Sequence, residues 1–217
     1  MACVTQLQQG YTISRMRVLG IVGWIVCCVY STIPLFWLAI HPRVEYWRSR
    51  RRSPYRVLMP MWMGMWIVAG AVTFPWRHVR VYSTALAWIP AVALFSSGLY
   101  LYRQSRYGFT GAQLGGRPEL EPHRFEQRLV TSGIRARVRH PVYLAHFCEM
   151  LAWSVGTGLL VLYVLTAFAL LTGAMMIRVE ERELKQRFGD EYRSYRRRVP
   201  AFLPRVFSSS NSQLTSQ

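Results

Sequence analysis

The chain has 217 residues, 52% of them hydrophobic, and a formal net charge of +17. The two properties are segregated: basic residues fall in three blocks and apolar runs lie between them. Arginine blocks that alternate with long apolar spans read as the loops of a membrane protein, not as a nucleic-acid-binding surface.

In chain order, Val18–Ile40, Val57–Trp76 and Ser83–Tyr102 are each close to the ~20 residues needed to cross hydrocarbon as a helix. A fourth apolar run, Tyr143–Ile177, is too long for one pass and is interrupted by Gly156-Thr157-Gly158. It predicts a helical hairpin, Tyr143–Val155 and Leu159–Ile177, with the glycines at the turn. The expected fold is therefore all-α and polytopic, with about five transmembrane helices. Residues 1–102 form three N-terminal spans, 103–207 a core built on the hairpin, and 208–217 a polar, disordered tail.

Charge sets the expected orientation. The 41–56 loop carries Arg43, Arg48, Arg50, Arg51, Arg52 and Arg56 against Glu45 alone, and the 103–142 loop and the C-terminal segment are also basic. All three blocks become cytoplasmic if the N-terminus is outside. Arg15, Arg17, Arg77 and Arg80 then fall on the wrong side. The N-terminal apolar core is too long for a cleaved signal and lacks a small-x-small site. Cys3, Cys27, Cys28 and Cys148 have no metal-ligand spacing, and Cys27-Cys28 reads as small apolar filler.

Two motifs flank the hairpin: Arg139-His140-Pro141-x-Tyr143 before it, Glu180-Glu181 and Phe188-Gly189-Asp190-x-Tyr192 after it. Pro141 suits the first turn of a helix, and Arg178 and Glu181, three apart, share a helix face. The hairpin thus delivers Arg, His, Tyr and carboxylate groups to one membrane surface. Such a set suits a zwitterionic, partly cationic ligand: a carboxylate for ammonium or sulfonium, an arginine for carboxylate. Inside the span, His146 and Glu149 are three apart on one face. An intramembrane carboxylate is costly, so Glu149 reads either as a catalytic or substrate-contacting group relayed by His146, or as half of a buried Glu-His hydrogen bond between helices.

Residues 129–204 resemble the isoprenylcysteine carboxyl methyltransferase family, which is related to phospholipid N-methyltransferases. The shared pieces are Leu129-Val130-Thr131-Ser132-Gly133, Arg139-His140-Pro141-Val142-Tyr143, Glu180-Glu181, Phe188-Gly189-Asp190-Glu191-Tyr192, Tyr195, Val199-Pro200 and Leu203-Pro204. The resemblance implies methyl transfer from S-adenosylmethionine held at the cytoplasmic surface, and no Gly-x-Gly-x-x-Gly follows a predicted strand. By position, it puts cofactor contacts at Gln127, Leu129, Val130, Arg135, His140, Pro141, Tyr143 and Glu181. Glu181 would neutralise the cofactor ammonium, and Arg139, His140 or both would reach its carboxylate. Gln127 and Arg135 stand where eukaryotic members carry His and Tyr. The family's substrate arginine aligns at Met176, with Arg178 nearby. Catalytic candidates are Arg139, His140 and Glu149; substrate candidates are Arg178 and His146. The acceptor is a carboxylate, amine or thiol on a lipid-like or small molecule, membrane lipids are the other partners, and the expected location is a bacterial inner membrane.

Other readings use the same residues. Arg139 also fits an ordinary basic flank, and Glu180 and Glu181 fit exposed charges pairing with Arg178 or Lys185. Tyr192 and Tyr195 read as interface anchors, and Arg196-Arg197-Arg198 as contacts to anionic headgroups. His41-Pro42 closes the first span with no assigned chemistry. Membrane sterol reductases share an Arg-His-Pro-x-Tyr motif but use NADPH and commonly carry an acidic residue where His146 stands. A non-catalytic scaffold of the same fold is the third reading.

Overall fold

A computed structural model describes residues 2–49, 53–106, 120, 124 and 128–202, with side chains described from residue 16 onward. The long apolar runs become helices because their backbone polar groups can be satisfied within one segment in hydrocarbon. In order these are α1 (Ala2–Ile40), the short α2 (Val44–Arg48), α3 (Tyr55–Thr73), α4 (Trp88–Arg106), α5 (Pro141–Thr157) and α6 (Leu160–Arg198). Among the described residues, four stretches are long and apolar enough to cross a membrane: Met16–Arg48, Tyr55–Trp76, Ala85–Arg106 and Leu160–Arg198. The remaining hairpin arm, α5, has 17 residues, or roughly 25 Å of helix.

The turn of the hairpin lies where the glycines predict it, with one refinement. α5 continues through Thr157, and only Gly158 adopts the left-handed conformation, φ 66°. A Cβ there would sit 2.3 Å from the Tyr82 carbonyl oxygen, so glycine is required by space as well as by backbone angle. The connection 77–84 is laced to the same turn, with Val81 N–H donating to Gly158 O at 2.8 Å and Leu160 N–H to Val79 O at 2.9 Å. The Tyr82 hydroxyl adds bonds to Val155 O at 2.7 Å and to the Tyr163 hydroxyl at 2.6 Å.

Small residues let the helices approach. α4 lies against α5, where a Cβ on Gly98 would meet Glu149 Cγ at 2.8 Å and one on Gly156 would meet the Trp88 ring at 2.8 Å. α1 packs on α6 around Cys27, Cys28, Leu162 and Leu165, so the cysteine pair does serve as buried apolar filler. α1 joins α3 through indole hydrogen bonds, Trp24 Nε1 to Thr73 at 2.9 Å and Trp62 Nε1 to Thr32 at 3.0 Å. These polar links between apolar helices fix a register that greasy contact alone would leave free. The bundle places Arg139 and His140 at one end and the Gly158 turn at the other.

Candidate active site

The two sequence motifs meet. Residues 139 and 140 approach α5 alongside residues 200 and 201, with Arg139 N–H donating to Pro200 O at 2.9 Å and His140 N–H to Ala201 O at 3.1 Å. Pro141 then opens α5. On the facing side, α6 runs well past Ile177, where its apolar stretch ends, and carries Glu180 and Glu181 on the same helix. Gly189 interrupts it at φ 53°, ψ −125°, which lets residues 190–198 fold back over the Arg139 segment.

Glu181 is the hub. It is 7% exposed. Its Oε1 accepts from Arg139 Nε at 3.0 Å, from Arg139 Nη2, and from His140 Nε2 at 3.4 Å. Its Oε2 pairs with Arg196 Nε at 3.0 Å. Burial pushes the Glu181 carboxyl up, but hydrogen bonds and charge from His140 and Arg139 outweigh it and hold the group at about 2. Arg139 Nη1 also donates to Arg196 O at 3.2 Å and to Val199 O, so one guanidinium ties a carboxylate to the closing turn of α6. Only a planar fork of donors can do this.

Glu180 is the contrasting neighbour. His140 Nδ1 approaches its Oε2 at 3.5 Å, yet that buried oxygen accepts no hydrogen bond. The buried Tyr192 hydroxyl is likewise without a hydrogen-bond partner. The Glu180 oxygen is thus the carboxylate atom of this centre with capacity left to accept a donor.

Around this centre, the Tyr195 hydroxyl donates to Arg135 O at 2.7 Å and Arg135 Nη1 reaches Ser105 O at 3.2 Å. Burial pushes the Tyr195 hydroxyl up to about 12 and lowers the Arg135 guanidinium. Leu129 packs on the Tyr192–Tyr195–Val199 cluster, and Val130 next to it in the chain is half-buried. The Tyr143 hydroxyl donates to Met176 Sδ at 3.6 Å, with its ring 6.2 Å from that of His140. Gln127 lies outside the described residues.

Several expectations change. Tyr192 and Tyr195 are 1% and 4% exposed; they form the core of the C-terminal fold-back and do not serve as interface anchors. Arg196 is turned to Glu181 rather than to headgroups, because the break at Gly189 redirects the last helical turns. Arg178 is exposed, and the ion pairs of Glu181 run to Arg139 and Arg196 instead. His41, given no chemistry by the sequence, bonds Glu183, clamping the end of α1 to α6 one turn beyond Glu180. The sequence signal for it was a His-Pro at a span end, which is too common to decide anything.

His146 and Glu149 stand apart from this centre. Glu149 lies nine residues along α5 from His140, roughly 13 Å of helix rise. It is 6% exposed, with the Tyr30 side chain beside it. His146 sits between the rings of Tyr30, at 4.9 Å, and Tyr102, at 5.5 Å. The carboxylate is thus partnered by a tyrosine of α1 rather than by its neighbour on α5. Among the described residues, no group of three or more His, Cys, Asp or Glu gathers to hold a metal ion.

Comparison with known proteins gives a consistent set of relatives. The chain is 27% identical over 174 residues to methanethiol S-methyltransferase 2 of Bradyrhizobium diazoefficiens, covering 80% of this chain and 55% of that protein. It is 39% identical over 85 residues to protein-S-isoprenylcysteine O-methyltransferase of Mus musculus, covering 35% of this chain and 27% of that one. It is 44% identical over 80 residues to the cobalt-zinc-cadmium resistance protein CzcN of Cupriavidus metallidurans, covering 36% of each. The chain therefore spans about half the length of the first of these relatives and less of the others. No family model matches the chain, and no solved structure matches it significantly.

Proposed function

We propose that this chain, a member of the isoprenylcysteine carboxyl methyltransferase-like family, transfers a methyl group from S-adenosylmethionine to a small or lipid-like acceptor at one membrane face. The observation that carries the reading is the convergence of Arg139, His140, Glu180 and Glu181 from the two ends of the hairpin. S-adenosylmethionine supplies, when bound, an electrophilic sulfonium methyl for in-line displacement, so the protein need only position, orient and exclude water.

The residues fit such a cofactor, with one change of role from the sequence reading. Both oxygens of Glu181 already face arginines, so Glu181 serves to fix Arg139 and His140. Glu180, with a buried oxygen free of hydrogen bonds, is the better receiver for an ammonium. Arg196 has a side chain 45% exposed, and together with His140 it offers donors to a carboxylate. Leu129, Val130 and Tyr143 supply apolar walls.

In this account α5 crosses alongside the four longer spans, the N-terminus lies outside, and the site faces the cytoplasm of a bacterial inner membrane. The relative that covers most of the chain is named for methyl transfer to a small thiol, and this is the acceptor class to try first. A thiol or amine must lose a proton, unlike a carboxylate; in this reading the proton passes to Glu149, a buried carboxyl with Tyr30 and His146 nearby, reached by an acceptor that enters from within the bundle. The test is transfer of isotopically labelled methyl from S-adenosylmethionine to a small alkyl thiol and to an S-prenylcysteine analogue by the purified chain. Turnover of either supports the reading. Failure of both, alongside NADPH oxidation with a sterol-like substrate, would replace it with the reductase.

A further inference from the structure

The other end of the bundle carries a second concentration of charge. Arg17 on α1, and Arg77, His78 and Arg80 on the connection after α3, line a cavity of about 520 Å³ closed by Gly20, Ile21, Trp24 and Leu159. Leu159 follows the Gly158 turn, so the cavity is at the far end of the hairpin from Arg139. α1 separates the two ends: Arg17 is 24 residues, roughly 36 Å of helix, from His41 at the Glu183 clamp. That distance is about the hydrocarbon thickness plus part of one headgroup layer.

The three arginines that line the cavity are among the four that violate the charge rule orienting the rest of the chain. Among the described residues they also have no acidic partner. Residues 1–44, 46–118 and 150–179 contain no aspartate or glutamate, and these are the segments that build this end of the bundle. None of the cavity's lining residues is acidic. The contacts the arginines do make are to neutral groups. Arg77 donates to Phe74 O at 2.7 Å and stacks on the Phe74 ring, 3.4 Å from its centroid, and Arg80 reaches Ser83 Oγ at 3.5 Å. Three like charges around one cavity repel each other, and the arrangement is relieved by an anion from outside the chain.

The surroundings say which anion. Phe74 and Trp76 are 50% and 56% exposed next to the arginines, the pattern of an aromatic belt at headgroup depth. Below them, Ile21, Ile25 and Leu160 leave apolar surface uncovered, continuous with the cavity wall. A ligand with an oxyanion head and an apolar tail satisfies both parts.

We infer that this cavity is a binding site for the phosphate of an anionic phospholipid, on the membrane face opposite the Arg139–Glu181 centre. Arg17 and Arg80 grip the phosphate from two sides, Arg77 is held in place by Phe74, and the acyl chains run along Ile21 and Leu160. The inference is independent of the methyltransferase reading.

The test uses the full chain, purified and delipidated in detergent, with lipid adducts counted by native mass spectrometry. Phosphatidylglycerol should be retained as a single tight adduct, and phosphatidylcholine at least tenfold more weakly. Replacing Arg17, Arg77 and Arg80 together by Gln should weaken phosphatidylglycerol about a hundredfold. The same number of charges removed elsewhere (Arg103→Gln, Arg106→Gln, Arg193→Gln) should change it less than about twofold. Should the triple variant fail to fold, Arg17→Gln and Arg80→Gln singly should each weaken binding about fivefold. Equal loss in the site and control variants, no preference over phosphatidylcholine, no effect of either single substitution, or binding of inorganic phosphate with none of the lipid would each overturn the inference.

Discussion

Replacing Arg139 by Lys isolates what a planar guanidinium does at the centre of the site. The side chain is 9% exposed and engages four acceptor contacts at once. Two go to Glu181 Oε1 through Nε and Nη2, and two go from Nη1 to the carbonyls of Arg196 and Val199. A lysine ammonium can follow Glu181, but its compact head cannot also span to the end of α6. The substitution therefore keeps the charge pair and strands two carbonyls. Hydrogen bonds to charged donors are worth ~1.5–3 kcal/mol each; part of the carbonyl loss is made good by water, since Arg196 is half-exposed. The expected destabilisation is about 2–4 kcal/mol. An exposed charge swap such as Arg178→Lys should change stability by less than ~0.5 kcal/mol. Equilibrium unfolding of the detergent-solubilised chain, followed by tryptophan fluorescence, measures both. A Lys variant within about 1 kcal/mol of the parent would mean that Arg139 acts as an ordinary ion-pair partner, as weak as a surface pair, and the clamp would be refuted.

Acid should act through Glu181. Its carboxyl is held at about 2, below the ordinary 4.5, so its contribution is complete above pH ~4.5 and is lost as pH falls towards 2; Glu181→Gln should flatten that part of the stability–pH curve, and an unchanged curve would count against the hub. Gly158→Ala should destabilise the hairpin by about 3 kcal/mol or more, because the new Cβ meets backbone at 2.3 Å and the φ of 66° is strained for alanine; an unfolding midpoint matching the parent would contradict the turn. Glu149→Gln should preserve the fold, since a neutral amide of the same size fits the buried place beside Tyr30, while turnover of a thiol or amine acceptor falls at least about tenfold. Undiminished turnover with every accepted acceptor would leave Glu149 a purely structural link.

The helices and the site were legible in the sequence to different depths. Spans of ~20 apolar residues have one solution in hydrocarbon, so α1, α3, α4 and the hairpin follow from hydropathy alone. The Arg139–His140 and Glu180–Glu181 pairing followed from the hairpin, since its two ends must return to one surface. What stayed hidden depended on a backbone break. Gly189 reads in sequence as part of the Phe188-Gly189-Asp190-x-Tyr192 motif, which does not itself announce a helix break, but its non-helical angles turn Tyr192, Tyr195 and Arg196 inward. Residues that an uninterrupted helix would have presented to the interface became core and site instead. Glu149 illustrates the second limit. Helical spacing puts it on a face with His146, yet its partner, Tyr30, comes from another helix 119 positions earlier, and no local pattern announces such a pairing.

If the hairpin gathers a site for S-adenosylmethionine, the folded chain must bind that molecule. Titration calorimetry of the detergent-purified chain with S-adenosylmethionine, with NADPH as comparator and Glu180→Gln as control, tests it most directly. Saturable binding of S-adenosylmethionine alone, weakened at least tenfold in Glu180→Gln, is the predicted result. A demonstrably folded protein that binds NADPH, or that binds neither molecule, would contradict the account.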